Sequence, residues 1–405
     1  MARSLPSAAA TAPATTGYNY ALGHLRAFII ALVVAYHAVG AYRPFAPTAP
    51  PVSLATPPRW WTAFPVVDPQ RWPGFSFFAG FNDVFFMSLM FFLSGVFAWR
   101  GLTKKGAMKF VRHRLLRLGL PFVVAAGIIA PLAYYPTWLQ IRGHAGPAAF
   151  LRQWASLDQW PAGPAWFIWL LLAFDLVAAL LFVLSPRWAD TIGAATSRLG
   201  RRPLAFFAML VVVSALLYIP MALHFSPFAW LAFGPFTFQT SRILHYLAYF
   251  LIGVTVGARG LDQGLLAADG RLTRRWPLWL TGAAVVACLY ALVNAFGGAL
   301  AFHSKMWASA IYAGFVVTCA TTCFAFLALF LRFAQSRSKA FDSLDANSYG
   351  IYLVHYAFAS WMQYILLPAS LPAVGKVFIV FGGALLLSWG AVAALRRVPQ
   401  VARIV

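Results

Sequence analysis

The chain contains no glutamate: its nine acids are all aspartate, set against 31 lysines and arginines in 405 residues, for a net charge of +22. Glutamate-dependent zinc hydrolases, Glu-based glycosidases and carboxylate-rich cation pumps lose their usual acid with it. Charge of either sign is scarce, 10% of residues against about 25% in a soluble domain. Cysteine is nearly absent, and Cys288, Cys319 and Cys323 all fall in apolar runs, so they say little about redox compartment. Cys319 and Cys323 are one helical turn apart with no histidine or acid beside them, and read as packing residues rather than metal ligands. What fills the chain instead is apolar, 61% of residues, with a mean hydropathy of +0.74. That composition excludes cytosolic enzymes, disordered chains and secreted disulfide scaffolds, and leaves an integral membrane protein.

Apolar stretches long enough to cross a bilayer number ten, near 21–42, 77–99, 118–136, 164–185, 203–223, 242–258, 277–296, 306–331, 347–367 and 374–395. The reading is an all-α polytopic protein: a tail over 1–20, one membrane domain over 21–396 and a short tail over 397–405. With the amino terminus in the cytoplasm, 22 basic residues fall on the cytoplasmic side and 8 on the other, with Arg26 inside the first span. Basic residues collect in cytoplasmic loops, so both termini are expected in the cytoplasm. The excess is topology rather than a nucleic-acid footprint, since no basic recognition module accompanies it. The loop from Arg43 to Trp72 carries eight prolines and is either a lid over an outer vestibule or a rigid spacer.

Ionisable residues inside a bilayer are costly and mark functional candidates. Here they are Arg26, His37, Asp83, Asp175, His245 and His355. Arg26 and His37 are eleven residues apart, which puts them on one helix face, separated by about 16 Å. Either they line one side of a path, or Arg26 snorkels to the interface and His37 bonds a backbone carbonyl. In the ninth span Ser348, Tyr352 and His355 form one polar stripe, which either serves chemistry or joins helices by hydrogen bonds. Asp175 is a candidate proton carrier, partner for a histidine or structural mate of Arg26, and the scarcity of acids favours the last two. Ser94 followed by Gly95 permits close approach of another chain or a ligand. Met108, Val111, Leu115 and Leu118 recur at helical spacing among basic residues and predict an amphipathic interfacial helix. Arg114 and Arg117 share a face there, suited to phosphate or to lipid headgroups.

In order along the chain, LRAFIIALVVAYH, FFLSG, RLLRLGLP, GPAWFIW, YFLIGVTVG and SYGIYLVH together resemble the acyltransferase-3 family of integral membrane O-acyltransferases. The pattern is nearest to its glucan-succinylating branch, that of the glucan biosynthesis protein C. The resemblance implies transfer of an acyl group, acetyl or succinyl, from cytoplasmic acyl-CoA to a hydroxyl of a carbohydrate at or beyond a bacterial inner membrane. It implies that Arg26 and His37 are the essential pair and that Arg114 and Arg117 are the cytoplasmic Arg-x-x-Arg motif. One departure stands out: many members place an aspartate just before the two phenylalanines, whereas here the stretch is SLMFFLSG and Asp83 lies eleven residues before Ser94. That argues against the exopolysaccharide-type subgroup and leaves the role of Asp83 open. On this reading His37 is the general base, Asp175 orients it, and His355 joins them among the catalytic candidates. Ser348, Tyr352 or a backbone amide faces the developing oxyanion. Arg114, Arg117 and Ser94 stand with Ser348 and Tyr352 along the donor path, and no metal is required. Trp60, Trp61, Trp72 and Trp160 either stack on sugars or form an interfacial belt. The alternatives are a transporter or flippase of a glycan or lipid-linked intermediate, and the same chemistry on a small molecule such as a macrolide or a lipid.

Overall fold

A computed structural model describes residues 19–57, 59–143, 146–301 and 304–405, without the side chains of 298–301. The tail expected over 1–20 lies outside the described residues, apart from Asn19 and Tyr20. The chain is helical: α1 Tyr20–Ala38, α2 Gly74–Lys105, α3 Ala107–Arg142, α4 Pro147–Ala155, α5 Trp166–Leu184, α6 Trp188–Gly200 and α7 Pro203–Phe225. After these come α8 Ile243–Gly257, a short α9 Arg271–Arg274, α10 Trp276–Ala301, α11 Lys305–Phe333, α12 Lys339–Ile365, α13 Ala373–Leu395 and a last turn α14 Pro399–Ala402. The exception is an antiparallel hairpin, β1 Trp230–Phe233 with β2 Phe236–Gln239, paired Trp230 to Gln239 and closed at Gly234 with φ +54°.

Among the described residues eight helices are long and apolar enough to cross a membrane: α1, α2, α3, α5 with its leading turn, α7, α10, α11 and α13. The other two expected spans are helices that fall short. α8 has only 15 residues, and α12 carries Asp345, Asn347, Ser348, His355 and Gln363 on buried positions. The reason is visible in where they sit: both pack among other helices, so neither needs an apolar face for lipid. The spans divide the same way. In α1, α2 and α11 61%, 78% and 72% of the apolar window is buried, against 22%, 17% and 28% in α7, α10 and α13. The outer helices turn residues such as Leu216, Leu289 and Phe378 outward, a surface that only lipid makes favourable. The protein is a polytopic membrane protein.

Local chemistry sets the boundaries. Asn19 caps α1, its side-chain oxygen accepting from Leu22 N at 3.2 Å. α2 stops at Gly106, whose φ of +74° is open to glycine and strained for other residues. The expected interfacial helix is not separate: it is the first turns of α3, which begins at Ala107 and runs through two π-helical turns, Leu115–Gly119 and Ala125–Ile129. The segment expected as a short tail over 397–405 folds back, with Ile404 O accepting from Arg117 Nε at 3.2 Å.

Two helix pairs build the interior, and in each the partners run parallel. In the first, Gly95, Gly253 and Gly257 put the backbones of α2 and α8 against each other, Gly253 against Phe92 O and Gly257 against Val96 O, with no room for a Cβ. In the second, α1 meets α12 through polar side chains, described below. The arginine-rich connections gather at one end of the bundle. At the other end the proline-rich loop is a packed cap: Trp61 is buried with Nε1 on Leu54 O, Tyr134 Oη donates to Thr62 O at 2.7 Å, and Gln140 bonds both backbone groups of Val67. A fully buried ion pair, Lys376 Nζ to Asp68 at 2.7 Å, ties it to α13. It is a lid, not a spacer.

Candidate active site

The parallel packing of α1 on α12 produces a ladder of polar contacts. At the arginine-rich end His24 Nε2 meets Asp342 at 3.1 Å and His24 Nδ1 meets Ala334 O at 3.1 Å. Next, Arg26 donates from Nε and Nη2 to one oxygen of Asp345, at 3.0 and 2.7 Å. Eleven residues on, His37 Nδ1 stands 3.0 Å from His355 Nε2, and Gln363 Nε2 donates to His37 O at 2.9 Å and Ala38 O at 3.1 Å. Arg26 and His37 therefore do share a face, and it is the face covered by α12. Asp345 was not singled out from the sequence, although it extends the Ser348, Tyr352, His355 stripe by one turn.

The acceptors around each ring fix the tautomers. His355 Nδ1 lies 2.8 Å from Tyr352 O and 3.2 Å from Ile351 O, so it carries the proton, and Nε2 holds a lone pair. His37 Nδ1 faces that lone pair and Val33 O at 2.9 Å, two acceptors, so it too carries a proton. His37 Nε2 is left with a lone pair and, among the described residues, no hydrogen-bond partner. His37 lines a cavity of about 1000 Å³, whereas His355 is fully buried behind it and does not. The edge of Tyr356, with ring centroids 4.9 Å apart, holds His37 from the side.

The cavity opens beneath the proline-rich lid. Its walls include Trp60 and Trp160, as expected of sugar-stacking candidates, and also Trp166 and Trp230. Trp61 is buried within the lid, and Trp72 packs edge-on against Phe75 outside the cavity. Asp83 reaches the wall as the partner of Arg242, 2.6 Å away, whose guanidinium also lies 4.7 Å over Phe315. At the rim Arg59 meets Asp158 at 2.6 Å, and its hydrogen bond holds that carboxyl below the usual range.

Other candidates lie elsewhere. Asp175 does not orient an imidazole: it is fully buried on α5 with Arg114 Nε 3.1 Å away, an ion pair without the angle of a directed hydrogen bond. Nor does it pair with Arg26, which has Asp345. Arg114 also lies 5.0 Å over Phe110, and Arg117 sits in the middle of the Leu115–Gly119 π-helical turn, its carbonyl accepting from Tyr349 Oη at 2.6 Å. Ser348 and Tyr352 have their hydroxyl protons engaged, by Asp345 O at 2.8 Å and by Pro164 O, so neither is a free oxyanion donor. What approaches the backbone beside Ser94 is α8 itself, at Gly95. His245 sits on Ser88 Oγ at 3.1 Å within the α2–α8 seam, away from the cavity.

Residues 19–393 match the model of a family described as an acyltransferase domain. No curated protein and no solved structure matches the chain.

Proposed function

The chain belongs to that acyltransferase family, the acyltransferase-3 family, and on this premise we propose that it carries an acetyl or succinyl group from cytoplasmic acyl-CoA to a hydroxyl of a glycan held in the aromatic cavity, with His37 as general base. The observation that carries the reading is the His37 ring: one nitrogen tied to Val33 O and His355, the other bare at the cavity wall. A sugar hydroxyl is a weak nucleophile at neutral pH and gains most from a base within hydrogen-bond reach. Its proton passes to His37 Nε2 as its oxygen bonds the thioester carbonyl carbon. The carbon–sulfur bond then breaks, and the thiolate takes the proton back from His37 to leave as free CoA. His355 is a positioning residue: its lone pair holds the His37 Nδ1 proton in place and so leaves the lone pair of His37 on Nε2.

Arg26 and Asp345 stand about 16 Å along α1 from His37, on the route a pantetheine arm takes from the arginine-rich end. There Asp175 offsets the charge of Arg114, while among the described residues the Arg117 guanidinium bonds only to a backbone carbonyl, so Arg117 offers its charge to a donor phosphate. Four tryptophans in the cavity wall support a glycan, since sugar faces stack on indoles and the Gln159, Gln239 and Gln363 amides in the same wall can meet hydroxyls. The charge bias supports a cytoplasmic position for the arginine-rich end. With α8 and α12 counted as spans, ten helices over 21–396 cross a bacterial inner membrane and both tails lie inside.

The test is transfer in proteoliposomes loaded with acyl-CoA and offered glycan outside. His37→Ala should lower acyl transfer by about 10²- to 10⁴-fold with an unchanged melting temperature. Full activity in that variant, or movement of acceptor across the bilayer with no gain in mass, refutes the proposal.

A further inference from the structure

The segment between α8 and α10 takes no part in the cavity around His37, yet it builds a second one of about 620 Å³ against the end of α6. Its floor is firm. Leu265, Leu266 and Leu272 are buried, and Thr273 Oγ1 donates to Ala267 O at 3.0 Å. A Cβ on Gly200 would stand 2.7 Å from Leu265 N, and Gly264 turns with φ +60° against Ser197, so loop and helix meet backbone to backbone. Around the rim are Arg201 and Arg202 from the turn that follows α6 and Arg271 and Arg274 from α9, with Asp262 and Asp269 between them.

All four arginines are exposed, and among the described residues none is ion-paired. Orienting the chain requires arginines on this side of the membrane but does not require four of them around one cavity. Gathered there they repel one another unless an anion joins them. Four guanidiniums against two carboxylates leave a net charge of +2, the complement of a dianion, and each guanidinium presents the fork that fits phosphate oxygens two at a time. The volume exceeds that of a bare ion and falls in the range of small-molecule pockets, about 300 to 1000 Å³. We propose that this cavity binds the phosphate dianion of an organic phosphomonoester or diphosphate, either soluble or the headgroup of a membrane lipid. It abuts the helix that carries Arg26 and His37, since Asn19 Nδ2 donates to Leu261 O at 2.9 Å. The inference does not depend on the acyl-transfer reading.

The experiment titrates inorganic pyrophosphate by calorimetry into the full chain in phosphatidylcholine nanodiscs. Saturable binding is expected, weakened about tenfold or more in R271Q/R274Q, because each lost charge-assisted contact is worth on the order of a tenfold change. Repeating the titration in nanodiscs containing phosphatidic acid separates the sources: loss of pyrophosphate binding assigns the pocket to a headgroup, and unchanged binding assigns it to a soluble ligand. Absence of saturable binding in phosphatidylcholine, or equal binding by wild type and a folded R271Q/R274Q, overturns the proposal. Should that variant fail to fold, R271K/R274K keeps the charge and removes the forks, and binding equal to wild type in it overturns the proposal equally.

Discussion

The two helix pairs at the centre of the bundle are held in opposite ways. Between α2 and α8 the contact is mainly backbone on backbone: three glycines remove the side chains at Gly95, Gly253 and Gly257, and His245 on Ser88 Oγ adds a polar contact farther along the seam. Between α1 and α12 side chains stay, and His24, Arg26, His37 and Gln363 each find a hydrogen-bonding partner on the facing helix or in its neighbouring turns. In a bilayer, where apolar helices gain nothing by leaving lipid, close packing and interhelical hydrogen bonds are the two available adhesives. The glycine seam buys rigidity, and the polar seam keeps ionisable groups at depth. One is scaffold and the other is site, and substitutions should separate them.

The largest effect is expected in the glycine seam. Gly253→Leu sets a side chain into the backbone of Phe92, and overpacking of about 3 kcal/mol or more should abolish recovery of folded protein, read by size exclusion and thermal melting. The polar seam should answer differently. His355→Phe keeps the shape but deletes the acceptor for His37 Nδ1, so kcat for acyl transfer should fall about tenfold with acceptor KM and melting temperature unchanged. His355→Gln, whose amide oxygen can accept the same proton, should recover part of it. A fall in melting temperature alone would make His355 a strut like Gly253. Asp345→Ala leaves Arg26 without that carboxylate; with the Arg26 side chain 39% exposed, solvent offsets part of the loss, and the cost should be about 1 kcal/mol in denaturant unfolding.

The smallest effect concerns the lid. Arg59 holds the Asp158 carboxyl below its usual range, so this contact is fully present above the ordinary aspartate value and is lost as pH falls through the lowered one. Proteolysis of the lid should quicken below about pH 4 in wild type, and Asp158→Asn should show the faster cleavage already at pH 7.

Much of this was readable from residue order, and the exceptions have physical reasons. Periodicity placed Arg26 and His37 on one face and drew the Ser348, Tyr352, His355 stripe, because both are properties of a single helix. Which helix faces which is not. The partners Asp345 for Arg26, Arg114 for Asp175 and Arg242 for Asp83 join positions 61 to 319 residues apart, and no single-helix pattern encodes them. The role given to Asp175 failed for that reason. The hairpin did leave a signal, apolar residues on both sides of Gly234-Pro235, in the connection between the expected spans 203–223 and 242–258. The family motifs FFLSG and YFLIGVTVG, which begin 158 residues apart, turn out to be the two sides of one glycine seam.

The central claim is that His37 presents a bare Nε2 to the cavity because its Nδ1 proton is held from behind. Nitrogen-15 NMR of histidine-labelled protein, with the His37 signals assigned by their loss in His37→Ala, reads this directly. The expected spectrum at neutral pH shows Nδ1 protonated and Nε2 bare in His37. A proton on Nε2 with a bare Nδ1 would contradict it, for that ring could accept nothing from a hydroxyl in the cavity.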